Sequence, residues 1–222
     1  MGAVQQRLKK PGHNNVTLAI RQLLGHLAFD GRRSGYVPPK QLRISPKLKL
    51  HRKSKTGIDP VTFEVVRHAL WNVNEEHGAT IQRLSGSPVA MYALDLNPSI
   101  LTEEAEFVYF GPYMQYMSGV TDTQVKWILE YRSENPGIRD GDMFLANDPW
   151  VGAAHQQDVM RICPVFWKGE LFCWVTNCLH QYDIGGNTPG SFCADARDVT
   201  FPTSGNALNF ENTDNVTHML VV

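Results

Sequence analysis

Apolar residues at helical spacing mark the strongest element of the chain, which begins at Asp59-Pro60. Aspartate is a favoured N-cap and proline a favoured first helical residue, so this pair predicts a helix start. The apolar positions that carry the period are Val61, Val65, Leu70 and Val73. The pattern predicts that this helix ends between Gly78 and Arg83.

Two weaker periodic segments and a linker accompany this helix. Val16–Phe29 and Thr121–Tyr131 also have helical spacing, and Pro136-Gly137 ends the second of them. Residues 31–57 are rich in Pro, Lys and Arg, which predicts a linker with an extended piece at Gln41–Ile44.

Strand-like runs fill much of the second half of the chain. Val159–Trp167 and Leu171–Cys178 are separated by Lys168-Gly169-Glu170, which predicts a β-hairpin with the glycine in its turn. Shorter strands are predicted at Val89–Leu94, Ile100–Leu101, Glu106–Phe110 and Met143–Ala146. The pattern predicts an α+β fold, with a mixed, mostly antiparallel sheet and flanking helices.

The charge of the chain is divided unevenly between its two parts. Residues 1–57 hold 13 Lys and Arg against one acid, Asp30, whereas residues 58–222 hold 8 against 21 acids. The basic part lacks interleaved aromatic residues, and the acidic remainder would repel phosphate, so nucleic-acid binding is disfavoured. A solvated, partly ordered extension, or one that docks on an acidic partner subunit, is the favoured interpretation.

Two further features of composition bear on location. No apolar run approaches the roughly 18–20 residues of a membrane span, and the chain starts without a signal-peptide pattern. The four cysteines, Cys163, Cys173, Cys178 and Cys193, have no CxxC spacing, which favours free thiols in a cytoplasmic protein over a disulfide framework. Cys178 lies two residues before His180, so in a strand the two side chains would point to the same face. A nucleophilic role for the Cys178 thiol near the site is therefore a minor alternative.

The candidate chemistry lies at the open end of the predicted hairpin. His155 and Asp158 flank the start of its first strand, and His180 follows the end of its second. Antiparallel strands would bring these positions side by side. Imidazole and carboxylate are ligands of Zn²⁺, Mn²⁺ and Fe²⁺, so a divalent metal site is predicted. The alternative is that these histidines are ordinary hydrogen-bonded groups near strand ends.

Further polar and glycine residues near these donors have two interpretations each. Asp148, in Asn-Asp-Pro, is either a catalytic carboxylate or the cap of a turn. Asp183 either orients His180 as a hydrogen-bond acceptor or stabilises a turn. Gly185 and Gly186 supply a flexible loop that could bind an anionic part of a substrate.

Several short motifs follow one another in a fixed order from Ile58 to about Val199. They are Asp59-Pro60-Val61-Thr62-Phe63-Glu64-Val65, Gly141-Asp142-Met143-Phe144, Asn147-Asp148-Pro149, Gly152–Asp158, Pro164-Val165-Phe166, Gly169-Glu170-Leu171, His180–Gly186 and Thr188-Pro189-Gly190-Ser191. In this order they resemble the hydantoinase B/oxoprolinase family. The resemblance implies that His155, Asp158 and His180 hold a divalent metal. A further family segment matches Gln82–Pro88 and leads to Asp95, a fourth candidate ligand.

The resemblance also implies an activity. It indicates the metal-binding B-type subunit, or a fragment of one, of an ATP-dependent cyclic-amide hydrolase of the hydantoinase or 5-oxoprolinase type. Its partner would be a hydantoinase A-like ATPase subunit, which uses the ATP and phosphorylates a carbonyl oxygen of the substrate. Two alternatives stay open: a subunit of an ATP-dependent ketone carboxylase of the acetone or acetophenone type, and an inactive, truncated interaction remnant.

The chain departs from the family pattern in three respects. Met117 stands where members often have a histidine in a P-V-H-x-G segment, so any substrate contact by that histidine is absent. Phe166-Trp167 and Trp174-Val175 are more similar to the acetone carboxylase branch. Family members continue for several hundred residues, which predicts an incomplete domain at 58–199 between a basic extension, 1–57, and a divergent polar tail, 200–222.

Overall fold

The computed structural model describes residues 35–53, 57–184 and 189–191. In chain order its elements are α1 (Pro60–Leu84), α2 (Pro88–Ala93), β1 (Leu96–Thr102), β2 (Phe107–Phe110), α3 (Gln115–Arg132), a π-helical turn (Ser133–Gly137), β3 (Phe144–Ala146), a 3-10 turn (Pro149–Val151), β4 (Asp158–Trp167) and β5 (Glu170–His180). The helix predicted at Val16–Phe29 and the tail at 200–222 lie outside the described residues, so the domain division stays a prediction.

The strands form one five-stranded antiparallel sheet in the order β2-β1-β5-β4-β3. Its centre is the β4–β5 hairpin, in which Asp158 lies opposite His180 and Trp167 opposite Glu170. Lys168 and Gly169 form the turn with φ of 52° and 80°, as a tight hairpin with right-handed strand twist requires. The predicted hairpin and the α+β fold class are confirmed.

Helix α1 begins as the sequence predicts. The Asp59 carboxylate accepts a hydrogen bond from the Thr62 N–H at 2.9 Å, and Pro60 is the first helical residue. The helix ends at Leu84, one residue beyond the predicted limit. The residues that α1 buries, Asn74 and Gly78, lie in its second half, which packs on β1 and β2. Its first half leaves apolar side chains exposed, among them Val61, Phe63, Val65 and Val66.

The strand predicted at Val89–Leu94 is wrong, because these residues lie in α2. The Ser87 hydroxyl accepts a hydrogen bond from the Ala90 N–H at 3.4 Å, and Pro88 occupies the first helical position. This start signal overrides the β propensity of the short apolar run. Leu94 ends the helix in the left-handed region at φ 57°, and the chain then enters β1.

The remaining predicted elements are confirmed at slightly different bounds. Ile100–Leu101 is the middle of β1, and the segments predicted at Glu106–Phe110 and Met143–Ala146 each become a strand one residue shorter. The helix predicted at Thr121–Tyr131 is the larger part of α3. The main core lies between α3 and the sheet, where the largest fully buried side chains include Trp174, Phe144, Leu101, Met117, Leu129 and Met160.

Part of the segment predicted as a linker packs on this core. The Tyr36 hydroxyl and the Arg43 Nε both donate to the Glu130 carboxylate, at 2.8 and 2.9 Å. Leu48 is buried, and Leu50 forms a β-bridge with Leu171. Residues 35–53 therefore belong to the packed structure. None of the described helices combines the length and apolarity that crossing a bilayer requires.

Candidate metal centre

Three of the predicted donors converge at the open end of the hairpin. His155, Asp158 and His180 each offer a ligand atom, and these atoms all lie within 4.8 Å of one another. The two imidazole rings meet edge to face, with centroids 4.9 Å apart, and His155 Nδ1 lies 3.7 Å from Asp158 Oδ2. Asp158 and His180 are buried and His155 is half-buried.

The hairpin register places two of the three donors. Asp158 and His180 are directly opposite each other in the β4–β5 ladder, so their side chains emerge on one face. His155 comes from the turn before β4, where the Asp158 N–H donates to its carbonyl at 3.1 Å. The Ser87 hydroxyl donates to the His180 carbonyl at 2.8 Å, which fixes the end of β5 against α2.

Some polar atoms in and beside this cluster have no hydrogen bond to any described residue. Among the described residues, His155 Nδ1, Asp158 Oδ1, His180 Nδ1 and Asp95 Oδ1 are buried without a hydrogen bond. Leaving a buried polar atom unsatisfied costs about 1–3 kcal/mol. Four such atoms in one place fit a cation, since imidazole nitrogens and carboxylate oxygens are the usual ligands of a divalent transition metal.

Electrostatics in the cluster also suit a cation. Burial raises the pKa of the Asp158 carboxyl, against the opposing influence of His155, the Tyr116 hydrogen bond and His180. Burial lowers the pKa of His180, although the charges of Asp95 and Asp158 oppose that shift. His180 is therefore neutral at pH 7, the form that binds a metal, and a bound cation would favour the carboxylate form of Asp158.

Asp95 lies beside the three-residue group without belonging to it. Its backbone carbonyl accepts a hydrogen bond from the His180 N–H at 3.1 Å. Its Oδ1 is buried without a hydrogen bond among the described residues, and its charge tends to raise the pKa of both His180 and Asp158. The structure thus brings Asp95 to the edge of the centre.

The three-residue group does not include the other predicted site residues that the structure describes, Asp148 and Asp183. Asp148 is 5% exposed, and its Oδ1 accepts a hydrogen bond from the Trp150 N–H at 2.8 Å, so it caps the 3-10 turn. Asp183 lies three residues after His180 and is exposed. Gly185 and Gly186 fall outside the described residues.

Two hydroxyl groups that the sequence did not single out contact the metal donors. The Tyr116 hydroxyl donates to Asp158 Oδ2 at 3.0 Å, and burial together with the charge of Asp158 raises the pKa of this phenol. Ser191 Oγ shares a 2.8 Å hydrogen bond with His180 Nε2. Ser191 ends the Pro-Gly-Ser motif, which can be recognised in the sequence, but the sequence does not predict its contact with His180.

Cys178, the buried cysteine among the three that the structure describes, is not placed to act as a nucleophile. Cys178 lies opposite Met160 in the β4–β5 ladder and is fully buried. Burial and the charges of Asp158 and Asp95 raise its pKa well above the usual value. The thiol is therefore protonated and packs as a core side chain.

The whole region matches one protein family. The sequence model of Hydantoinase B/oxoprolinase matches residues 59–201, which include His155, Asp158, His180 and Asp95. The chain belongs to this family. Within the matched region, Met117 is fully buried and packs in the main core.

Named relatives and a solved structure agree with this assignment. The chain is 28% identical to 5-oxoprolinase 1 of Arabidopsis thaliana over 151 residues, 68% of this chain and 12% of that protein. It is 30% identical to the caprolactamase subunit beta of Pseudomonas jessenii over 142 residues, 64% of this chain and 24% of that subunit. A nucleotide-free acetone carboxylase structure, described for ATP-dependent acetone carboxylation, superposes with a TM-score of 0.52 at 26% identity, covering 58% of this chain and 17% of that one. The chain therefore spans less than a quarter of the length of each of these proteins.

Substitution of Asp148 separates its two interpretations. Asparagine is as good a cap as aspartate, whereas alanine lacks the acceptor, so we expect Asp148→Ala to lose about 1 kcal/mol of unfolding free energy and Asp148→Asn almost none. Urea unfolding of both variants measures this. Equal losses in the two variants would contradict a capping role, and a drop in turnover for Asp148→Asn at unchanged stability would favour a catalytic one.

Proposed function

We propose that this protein is the metal-bearing B-type component, or part of one, of an ATP-dependent enzyme that hydrolyses cyclic amides. The observation that carries the proposal is the convergence of His155, Asp158 and His180, each of which has one buried polar atom without a hydrogen bond among the described residues. The relatives named 5-oxoprolinase and caprolactamase support the hydrolase class.

The residues divide into those that hold a metal and those that would meet a substrate. His155, Asp158 and His180 would hold Zn²⁺, Mn²⁺ or Fe²⁺, with Asp95 as a further ligand. Without Asp95, the three ligands leave a position open even on a tetrahedral ion, as catalytic metal sites require. With Asp95 bound as well, an ion with five or six coordination positions would still have one open. Bound there, the cation would supply Lewis acidity toward a carbonyl or phosphoryl oxygen of the substrate.

The substrate side of the site is proposed from the sequence. Asp183 follows His180 in the chain at an exposed position and is proposed as a catalytic carboxylate. Asp148 is proposed as a second catalytic carboxylate, alongside its capping contact. Gly185 and Gly186 would bind an anionic group, such as the phosphorylated carbonyl of an activated amide.

The proposed partner is a hydantoinase A-like ATPase, which would use the ATP. Support comes from the relative named as a subunit, the caprolactamase subunit beta, and from the exposed apolar side chains on the first half of α1. Exposed apolar clusters of this kind are typical of surfaces that another polypeptide covers. We place the assembly in the cytoplasm, in keeping with the free thiols of Cys163, Cys173 and Cys178.

Ketone carboxylation is the second candidate function. It is favoured by the acetone carboxylase structure, which superposes at a TM-score of 0.52. Phe166-Trp167 and Trp174-Val175, which are more similar to the acetone carboxylase branch, also favour it. The same three donors would serve in either reaction. An interaction remnant without activity is the third candidate, and metal binding alone would not exclude it.

One assay distinguishes these candidates. The chain is combined with its ATPase partner and with metal, and then given ATP with 5-oxoproline, hydantoin or caprolactam. We expect ATP-dependent ring opening, detected as a new amino or carboxyl group by mass spectrometry. A parallel reaction contains acetone or acetophenone and labelled bicarbonate. Incorporation of label would contradict the hydrolase proposal, and no product in either reaction would favour the remnant.

A further inference from the structure

We infer that Tyr116 is a positioning residue of the metal centre, which acts through Asp158 to set the affinity and the coordination of the metal. This inference rests on the proposed metal centre and goes beyond it, because Tyr116 is not a metal donor. It concerns the two oxygens of one carboxylate, which have different surroundings.

The two oxygens of Asp158 are not equivalent. Oδ2 accepts a hydrogen bond from the Tyr116 hydroxyl at 3.0 Å and lies 3.7 Å from His155 Nδ1. Oδ1 is buried and has no hydrogen bond among the described residues. The phenol engages Oδ2, and we infer that Oδ1, which has no hydrogen bond among the described residues, is the oxygen left for a cation. The hydrogen bond to Oδ2 would then favour binding through a single oxygen over binding through both.

The position of Tyr116 in the fold supports this role. Tyr116 lies in the first turn of α3, next to Met117, whose side chain is fully buried in the core. The buried neighbour fixes the start of α3 against the sheet. Tyr116 itself is 42% exposed, so little of its contribution comes from burial. Its directed contact is the hydrogen bond to Asp158.

His180 is supported in a similar manner. Ser191 Oγ is hydrogen-bonded to His180 Nε2, and His180 Nδ1 is buried without a partner among the described residues. Asp158 and His180 thus each have one polar atom that is hydrogen-bonded to a hydroxyl group and one buried polar atom without a hydrogen bond among the described residues. Groups that hold metal ligands in this way commonly change metal affinity by 10–100-fold when removed.

The test is Tyr116→Phe in the full chain, which removes only the hydroxyl. Zn²⁺ affinity is measured by competition with a chelator, and the coordination is followed by the visible absorption of bound Co²⁺. We expect Zn²⁺ to bind about 10–100-fold more weakly than in the unchanged protein. We also expect the Co²⁺ spectrum to change, since a released carboxylate can bind through both oxygens. Tyr92→Phe is the matched control, because Tyr92 is 83% exposed.

The outcomes separate this inference from the proposed function. If the unchanged protein binds no metal, the proposed function fails. If it binds metal and Tyr116→Phe binds equally well with an identical Co²⁺ spectrum, the proposed function stands and the role of Tyr116 is overturned. A metal-free melting temperature close to that of the unchanged protein is expected for both variants, which excludes general unfolding as the cause of weaker binding.

Discussion

Replacing His155 and His180 together by alanine is expected to abolish metal binding. The double substitution removes both imidazole ligands and leaves Asp158 as the remaining member of the three-residue group. The loss should exceed the roughly 10–100-fold that accompanies changes outside the ligand set. Elemental analysis of the purified chain, together with Zn²⁺ titration, measures it. One metal ion per chain is expected before the change and none after it.

The matched control for this experiment is His68→Ala. His68 lies on the exposed first half of α1, where its ring stacks on Trp71 with centroids 6.3 Å apart. Its removal takes away an imidazole without touching the centre, so metal content should stay at one ion per chain. Undiminished metal in the double variant would remove the basis of the proposed function, whether hydrolase or carboxylase.

The ligand pair at the hairpin end could be predicted from sequence because local signals determine it. The Lys168-Gly169 turn pairs Trp167 with Glu170, so it brings the open ends of β4 and β5 together. A β-bulge between Val165 and Phe166 then shifts the register by one residue and puts Asp158, rather than Gln157, opposite His180. The start of α1 was predictable for a similar reason, since Asp59 and Pro60 are neighbours in the chain. In both cases the information lies within a few residues of the feature it determines.

The features that could not be predicted depend on packing between distant segments. Tyr116 reaches Asp158 across 42 positions, because the start of α3 packs beside the open end of the hairpin. No pattern in the sequence around either residue predicts this contact. The error at Val89–Leu94 has another cause, since an apolar run of six residues suits a strand or a buried helix turn equally well. Ser87 and Pro88 decided between the two.

Trp174→Ala is expected to cause the largest loss of stability. Trp174 lies on β5 and has the largest residue volume among the fully buried side chains of the described residues. Its ring packs on Phe144, with the ring centroids 6.4 Å apart. Removing a buried aromatic ring forfeits its burial and leaves a cavity, at a cost of about 3–5 kcal/mol. That is a large share of the 5–15 kcal/mol by which a typical domain is stable. Urea unfolding in EDTA measures the loss without any contribution from bound metal.

Trp167→Ala is the control that tests the physical reason for this loss. Trp167 belongs to the same hairpin and is the same residue type, but it is 56% exposed. Its described contact is with the Lys168 ammonium, 5.5 Å from the ring centroid, and such exposed contacts contribute about 0.5–1 kcal/mol. The hairpin should therefore tolerate this change. His180 also lies on β5. Under conditions in which part of the Trp174→Ala protein is unfolded, its apparent Zn²⁺ affinity should therefore fall, whereas that of Trp167→Ala should not. Equal losses of unfolding free energy in the two variants would contradict a core centred on Trp174.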